Sequence, residues 1–160
     1  MAMHLSPATD NQLIELMSWF SSQDELDIWS GPSINFPLSL DTLKSELKLM
    51  SLPSYCLLSE QAELLAFGQY YLRHGRCHLA RLVVKPKLRG QGIAGHLITQ
   101  LMNKGMADLQ THACSLFVLE QNHSAIKSYQ KFGFSFESYP EHLSLNNVLY
   151  MIKEFPQYNQ

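Results

Sequence analysis

The middle of the chain contains three apolar segments that follow one another closely. They span residues 54–59, 64–73 and 77–84 and are rich in Leu, Val, Phe and Tyr. Only the short polar junctions 60–63 and 74–76 separate them. Junctions of this length join antiparallel neighbours, whereas a parallel connection needs a dozen or more residues. The sequence therefore predicts a three-stranded antiparallel meander at the centre of the fold.

Helices and further strands are predicted on both sides of this meander. Apolar residues at helical spacing predict helices at 11–20, from Ser39 or Asp41 to about Met50, at 92–109 and at 124–132. Asp10 is the expected cap of the first helix. Shorter apolar runs predict strands at 4–8, 115–119, 134–138 and 147–153. The segment 29–37 is expected to be irregular because one Gly and two Pro break its period. The order of elements is α+β, and one domain over residues 1–160 is expected.

The composition limits the classes of partner. The chain is 46% hydrophobic and 16% charged, with a formal net charge of −2, which is typical of a soluble globular protein without a nucleic-acid or membrane partner. No apolar run approaches the roughly 20 residues that span a bilayer, and residues 1–10 lack the pattern of a signal peptide.

Cys56, Cys77 and Cys114 are scattered, which predicts buried free thiols in the cytoplasm. The histidines form no metal-binding pattern, so no metal is expected.

The start of the long predicted helix matches the pattern GxGxxG, in the run Gly90-Gln91-Gly92-Ile93-Ala94-Gly95. Such a match can be a plain helix start, or the fingerprint of a nicotinamide-dependent enzyme. The fingerprint requires its first glycine at the end of a strand within a parallel βαβ unit. Here residues 85–89 intervene and the preceding strands are predicted to be antiparallel. The nicotinamide alternative is therefore disfavoured.

A third interpretation uses every residue of this segment. Pro86 ends the strand because it cannot donate to a ladder. Arg89 adds positive charge, while Gly90 and Gly92 allow the backbone to approach a ligand. The first turn of the following helix presents free N–H groups and the positive end of its dipole. A pyrophosphate is the ligand that suits such a site.

Two blocks of the sequence resemble the GNAT superfamily of acetyltransferases. Residues 82–94 are similar to its motif A, in which Arg/Gln-x-x-Gly-x-Gly/Ala follows a strand ending in Val-x-Pro. Residues 122–134 are similar to its motif B, Asn-x-x-Ala-x-x-x-Tyr-x-x-x-Gly-Phe. The resemblance implies the GNAT fold, with a central, mixed, mostly antiparallel twisted sheet of six to seven strands flanked by about four helices.

The resemblance also implies the chemistry. Acetyl-CoA would be the cosubstrate, and a primary amine of a small molecule or peptide would attack it directly in a ternary complex. Asn122 would reach the pantetheine arm, and Tyr129 would protonate the leaving thiolate, unless Tyr129 is a core aromatic. The backbone of three strand residues would pair with the pantetheine, and seven residues would wrap the pyrophosphate. These are Leu82, Val83 and Val84 for the pantetheine, and Arg89, Gly90, Gln91, Gly92, Ile93, Ala94 and Gly95 for the pyrophosphate.

The resemblance leaves more than one account of the general base. Some GNAT relatives carry Glu five residues before the motif-B Asn, where this chain has Phe117. Others carry a carboxylate early in the strand before the loop, where this chain has His78. An unperturbed histidine, with a pKa near 6.5, suits the transfer of a proton from an ammonium. His78 is therefore the candidate base, with a structural histidine or a chain of waters as alternatives. The absent Glu also leaves open a catalytically silent acyl-CoA-binding module.

The acceptor is expected between the loop that follows the first helix and the last hairpin. Trp29 and Phe36 would line one side, although they could equally plug the core. Residues 139–146 would form the other side. The resemblance leaves a homodimer as an option, because dimers are common in the family.

Overall fold

The computed structural model describes residues 2–32, 34–143 and 147–156. These residues form a seven-stranded mixed sheet and five α-helices, which confirms the predicted fold class. Hydrogen-bonded neighbours follow the order β1-β2-β3-β4-β5-β7-β6. The elements are β1 (His4–Pro7), α1 (Asp10–Met17), α2 (Gln23–Ser30), α3 (Leu40–Glu46), β2 (Ser54–Leu58), β3 (Leu64–Arg73), β4 (Arg76–Val84), α4 (Ile93–Leu109), β5 (Ala113–Leu119), α5 (His123–Lys131), β6 (Ser135–Phe136) and β7 (Val148–Glu154).

The predicted meander is present. β2 pairs antiparallel with β3, from Ser54 opposite Gln69 onward. β3 and β4 are sheet neighbours joined only by His74 and Gly75, whose φ angles of 48° and 73° form a tight hairpin turn. Two connecting residues permit only an antiparallel arrangement.

The helix α2 is absent from the sequence-based prediction, which placed Trp29 at the start of an irregular segment. That placement is wrong, because Trp29 lies in the last turn of α2. The signals for this helix are local and short. Ser22 accepts a hydrogen bond from the N–H of Glu25, but Leu26 is the only fully buried residue of the helix. One buried residue in eight does not produce a readable apolar period.

The ends of two other helices also differ from expectation. α1 is capped by Thr9 rather than Asp10, through a capping box with Gln12. α1 stops at Met17, three residues before the predicted end. α3 is capped by Ser39 as predicted, but it ends at Glu46 because the chain turns at Lys48, whose φ is 53°.

The chain packs into two compact units, and β3 and β4 contribute residues to both. The first unit comprises Met1–Tyr70 and Arg81–Leu101. It contains a large apolar core formed by side chains of α1, α2 and α3 and of strands β2 and β3. The fully buried members of this core include Leu26, Ile34, Leu43, Leu47 and Phe67.

A buried amide links several elements of the first unit. Gln69 of β3 is 0% exposed. Its Nε2 donates to the carbonyl of Leu47 and to Oγ of Ser54, both at 2.8 Å. Its Oε1 accepts from Nη1 of Arg81 at 3.1 Å. The carbonyl of Arg81 in turn accepts from Nε1 of Trp29 at 2.8 Å. The segment after α3, the strands β2 and β4, and the helix α2 are thereby connected through polar groups.

Arg81 interrupts the extended backbone of β4. Its φ of 51° lies in the left-handed region, which costs a non-glycine residue on the order of 1 kcal/mol. In a regular strand, side chains alternate between two faces. That alternation, counted from His78, does not continue unchanged to Val84.

The second unit comprises Tyr71–Ala80 and Met102–Gln160. Its parallel ladder joins Cys77 to Cys114, His78 to Ser115 and Leu79 to Leu116. β5 pairs antiparallel with β7 over its whole length, and β7 pairs with β6.

The cysteines, the membrane and the number of domains were also subjects of prediction. The three cysteines are free and buried, as predicted. None of the described helices is long and apolar enough to cross a membrane. The expectation of one domain over residues 1–160 stays a prediction.

The Gln69 network generates a stability prediction. Gln69→Met keeps the shape of the side chain but removes three hydrogen bonds and leaves buried polar groups unpaired. We expect the free energy of unfolding to fall by about 2–4 kcal/mol, measured by urea titration. Gln100→Met is the matched control, because Gln100 donates one bond, to the carbonyl of Met3 at 3.0 Å. A loss no larger in Gln69→Met than in Gln100→Met would contradict the role of the network.

Candidate functional site

The glycine segment lies between β4 and α4, in the first unit. A short 3-10 turn at Pro86–Leu88 follows β4, as the proline predicts. Gly90 and Gly92 then adopt φ angles of 78° and 80°, a region that side chains with a Cβ rarely occupy. A Cβ added at either glycine would meet no atom within 4 Å. The glycines are therefore required by backbone conformation, and the backbone there faces open space.

The charges around this turn favour an anion. Arg89 is exposed, and its Nε donates to the carbonyl of Val84 at 3.4 Å. Among the described residues, no carboxylate lies within 4.0 Å of Arg89. Lys85 is held by Glu15 and Glu63 at 3.6 and 3.7 Å. The first turn of α4 contains no acidic side chain, so its free N–H groups and dipole remain available to an anion.

Asn122 and Tyr129 both belong to the helix α5 of the second unit. Asn122 is the N-cap, and its Oδ1 accepts from the N–H of Ala125 at 3.3 Å. This bond uses the carbonyl oxygen of the side chain and leaves the amide group for another partner. Tyr129 follows about two turns later, with its ring 6.2 Å from that of Phe134. Tyr129 keeps some exposed surface, yet burial raises its pKa to about 12. Its hydroxyl therefore holds its proton at neutral pH.

His78 lies inside the second unit and is only 2% exposed. Its Nδ1 is 2.8 Å from Oγ of Ser115, which is fully buried. The ring is flanked by Tyr71 and Phe117, with centroids at 5.2 and 4.7 Å. Ser115 and the two aromatic rings thus help to orient the imidazole. A substrate would have to approach closely to exchange a proton with it.

The two candidate acceptor residues differ in environment. Trp29 stacks on Phe20 with centroids 4.6 Å apart and bonds to the carbonyl of Arg81. It also packs against the core of the first unit, which favours the core alternative for this residue. Phe36 is 42% exposed, and its backbone N–H donates to Oε1 of Gln23 at 2.8 Å. Phe36 therefore has a surface that a ligand can reach.

A cluster around Arg73 in the second unit was not identified from the sequence. The guanidinium lies over the rings of Phe117, Tyr139 and Tyr71, at 5.1, 5.5 and 5.9 Å from the centroids. Its Nε donates to the hydroxyl of Tyr139 at 2.7 Å, and Nη1 donates to that of Tyr71 at 3.0 Å. Tyr139 falls within the segment 139–146 expected to flank the acceptor, of which residues 144–146 lie outside the described residues.

The sequence contained one partial signal for this cluster. Tyr71 and Arg73 are two residues apart in a predicted strand, so they share a face. The contact with Tyr139 spans 66 residues and leaves no local pattern.

Within each unit, the predicted residues group as follows. The first unit brings together the strand end 82–84 and the segment 89–95. The second unit contains Asn122, Tyr129 and His78. Among the described residues, no three His, Cys, Asp or Glu side chains are placed to hold a metal ion.

Comparison with known proteins identifies related families and folds. A model of the acetyltransferase (GNAT) family matches residues 14–134. The spermidine N-acetyltransferase from Vibrio cholerae, in complex with CoA and spermine, superposes with a TM-score of 0.75 at 18% identity, covering 95% of each chain. The PaiA N-acetyltransferase from Thermoplasma acidophilum, in complex with coenzyme A, superposes with a TM-score of 0.69 at 17% identity. That match covers 97% of this chain and 100% of the other. At these identities the two structures establish the shared fold.

The raised pKa of Tyr129 predicts a pH effect on stability. A tyrosine in an unfolded chain titrates near pH 10, whereas burial raises the pKa of Tyr129 to about 12. The unfolded state loses its proton first, so this contribution is complete below about pH 10 and is lost as pH rises towards about 12. Between about pH 9 and pH 11, the free energy of unfolding of the wild-type protein should fall by about 1–2 kcal/mol more than that of Tyr129→Phe. An equal fall in both proteins would contradict the assignment.

Proposed function

The chain belongs to the acetyltransferase (GNAT) family, and we propose that it transfers an acetyl group from acetyl-CoA to a primary amine. The acceptor is a small molecule or a peptide, and it attacks the thioester directly in a ternary complex. The observation that carries this proposal is the glycine turn before α4, with Gly90 and Gly92 at positive φ facing open space beside the exposed Arg89. The two structural relatives in complex with CoA support the choice of donor.

In this proposal the segment 89–95 binds the pyrophosphate. The backbone N–H groups around Gly90 and Gly92 approach the phosphate oxygens, because no Cβ stands between them. Arg89 contributes a positive charge, and no carboxylate among the described residues lies within 4.0 Å of it. The N-terminus of α4 adds the positive end of its dipole.

The strand end 82–84 and Asn122 serve the pantetheine arm. Extended backbone at Leu82, Val83 and Val84 offers N–H and C=O groups in the manner of a strand edge. One N–H near Val84 polarises the thioester carbonyl and stabilises the oxyanion that develops during attack. Asn122 is suited to contact the arm through its amide group, because its carbonyl oxygen already caps α5.

The chemical step transfers one acyl group and one proton. The neutral amine attacks the carbonyl carbon, a C–N bond forms, and the C–S bond breaks to release the CoA thiolate. Tyr129 donates its proton to that thiolate and regains one from the acylated nitrogen, which loses its second proton in this step. Because burial raises the pKa of Tyr129 to about 12, its hydroxyl carries a proton when the step begins.

His78 is the proposed acceptor of the proton from the ammonium. Ser115 and the rings of Tyr71 and Phe117 hold the imidazole in one orientation. Because the imidazole is almost fully buried, the acceptor must displace water and lie against it. A chain of waters is the alternative route.

The glycine turn predicts how the cofactor is bound. Acetyl-CoA at about 100 times its Kd should stabilise the protein by about 2.7 kcal/mol, which a thermal shift detects. Gly92→Ala should weaken acetyl-CoA binding about tenfold or more, because a Cβ at positive φ moves the backbone away from the pyrophosphate.

Gly75→Ala is the matched control for this variant. Gly75 has a similar φ of 73°, and a Cβ there would also meet nothing within 4 Å. Both variants should lose similar stability, but only Gly92→Ala should lose acetyl-CoA binding. Stabilisation by NAD(H) and not by CoA would instead establish a nicotinamide enzyme.

Tyr129 predicts a catalytic effect separate from binding. Release of free CoA thiol, followed with a panel of amines, should show kcat reduced by about 10²–10⁴-fold in Tyr129→Phe. The acetyl-CoA thermal shift should be retained, since the aromatic ring remains. Tyr55→Phe, on β2, is the control and should leave kcat unchanged. Acetyl-CoA binding without turnover across the whole panel would favour the catalytically silent module.

A further inference from the structure

The surroundings of Arg73 contain unused hydrogen-bonding capacity. A guanidinium has five N–H donors in a planar fork. Two of them are used among the described residues, by the hydroxyls of Tyr139 and Tyr71. The other three have no protein partner within that part of the chain. Rings of Phe117, Tyr139 and Tyr71 surround the group and reduce its contact with water.

The charges of the cluster are unbalanced. No carboxylate among the described residues lies within 4.0 Å of Arg73. Two acids of the second unit pair with other residues, since Glu141 faces His74 at 3.8 Å and Glu154 faces Arg76 at 3.9 Å. Both of these carboxylates are 70% exposed, which weakens their field at Arg73. A second cation, Arg76, donates to the hydroxyl of Tyr150 at 3.3 Å in the same cluster.

The cluster contacts the proposed base through shared rings. The ring of Phe117 lies 5.1 Å from the guanidinium of Arg73 and 4.7 Å from the imidazole of His78. The ring of Tyr71 also contacts both, at 5.9 and 5.2 Å. Arg73 and His78 thus contact the same two aromatic side chains. An anion bound to Arg73 would therefore be separated from the imidazole of His78 by about the width of one aromatic side chain.

We propose that Arg73 binds a carboxylate of the acceptor, so that the acetylated substrate is an amine that also bears a carboxylate, such as an amino acid. This inference rests on the proposed acetyltransferase function and adds the class of its acceptor. A carboxylate pairs with a guanidinium through two parallel charge-assisted hydrogen bonds, which fit the free donors of Arg73. The hydroxyl of Tyr71 accepts from Arg73 and can donate its own proton to the same anion. The hydroxyl of Tyr139 also accepts from Arg73 and lies 3.0 Å from Nε2 of His74.

The same charges disfavour a polyamine as acceptor. A polyamine brings two or more positive charges, and each would meet Arg73 and Arg76 inside a cluster that contains no buried carboxylate among the described residues. Like charges in a partly desolvated site repel strongly. The aromatic rings would otherwise suit an ammonium, but the guanidinium of Arg73 already occupies their faces. The structural relative from Vibrio cholerae acts on spermidine, so this chain would differ from it in acceptor class.

The test compares acceptors that differ only in the carboxylate. Thiol release from acetyl-CoA is measured with amino acids and with their decarboxylated counterparts, such as phenylalanine with 2-phenylethylamine and lysine with cadaverine, and with spermidine. We expect kcat/KM to be higher for the carboxylated member of each pair and lowest for spermidine. Arg73→Gln should raise KM for carboxylated acceptors by roughly 10–100-fold and change kcat/KM for their counterparts by less than about threefold.

Matched variants separate this role from a structural one. Arg73→Lys keeps the charge but not the fork, so it should retain part of the preference. Lys104→Gln removes one positive charge from α4 and should leave the preference intact. An unchanged acetyl-CoA thermal shift in Arg73→Gln reports that the protein is folded. If that variant does not fold, the preference of the wild-type protein between paired acceptors decides the question alone.

The outcomes distinguish the two proposals. Better use of the decarboxylated amines or of spermidine by the wild-type protein overturns the carboxylate inference and leaves the acetyltransferase function standing. An equal loss for both members of each pair in Arg73→Gln does the same. Absence of turnover with every acceptor, while acetyl-CoA still binds, overturns the proposed function and the inference with it.

Discussion

The buried amide of Gln69 is the interaction on which the first unit most depends. A buried amide must satisfy both its oxygen and its nitrogen, because an unpaired polar group costs more than a hydrogen bond gains. Here the partners are the carbonyl of Leu47, the hydroxyl of Ser54 and the guanidinium of Arg81. Apolar packing alone would allow these segments to slide against one another. The amide allows one arrangement, and that arrangement includes the strand that leads to the glycine turn.

The same network explains how an unfavourable backbone conformation is retained. Arg81 has a φ of 51° in the middle of β4, which a regular strand would not adopt. Its side chain is fixed by Gln69 and its carbonyl by the indole of Trp29. Two hydrogen bonds to groups from β3 and α2 are sufficient to offset a cost on the order of 1 kcal/mol.

The parts of the structure that follow from local sequence were predictable. The meander follows from three apolar runs and two short junctions, and the glycine turn follows from backbone conformations that only glycine adopts easily. The missed helix α2 has caps but only one fully buried residue, so its period was too weak to detect. The positive φ of Arg81 depends on partners 12 and 52 residues away, and no local signal marks it.

The candidate site also has a part that the sequence predicts and a part that it does not. The segment 89–95, which is proposed to bind acetyl-CoA, is continuous in sequence. Its glycines and its arginine indicate an anion site directly, so sequence alone predicts it. The cluster of Arg73 depends on Tyr139 and Phe117, which come from distant parts of the chain. His78 was recognised by its position, but its near-complete burial and its bond to Ser115 required the pairing of β4 with β5.

The surroundings of Phe117 limit what a glutamate at this position could do. It stands where some members of the family carry a glutamate, and its ring is near both His78 and Arg73, at 4.7 and 5.1 Å. A glutamate restored there would stand beside an arginine that lacks a carboxylate partner among the described residues, and the two would form an ion pair. The new carboxylate would be held ionised, with its basicity lowered and the arginine neutralised. Phe117→Glu alone would therefore not supply an effective base, because its carboxylate would pair with Arg73.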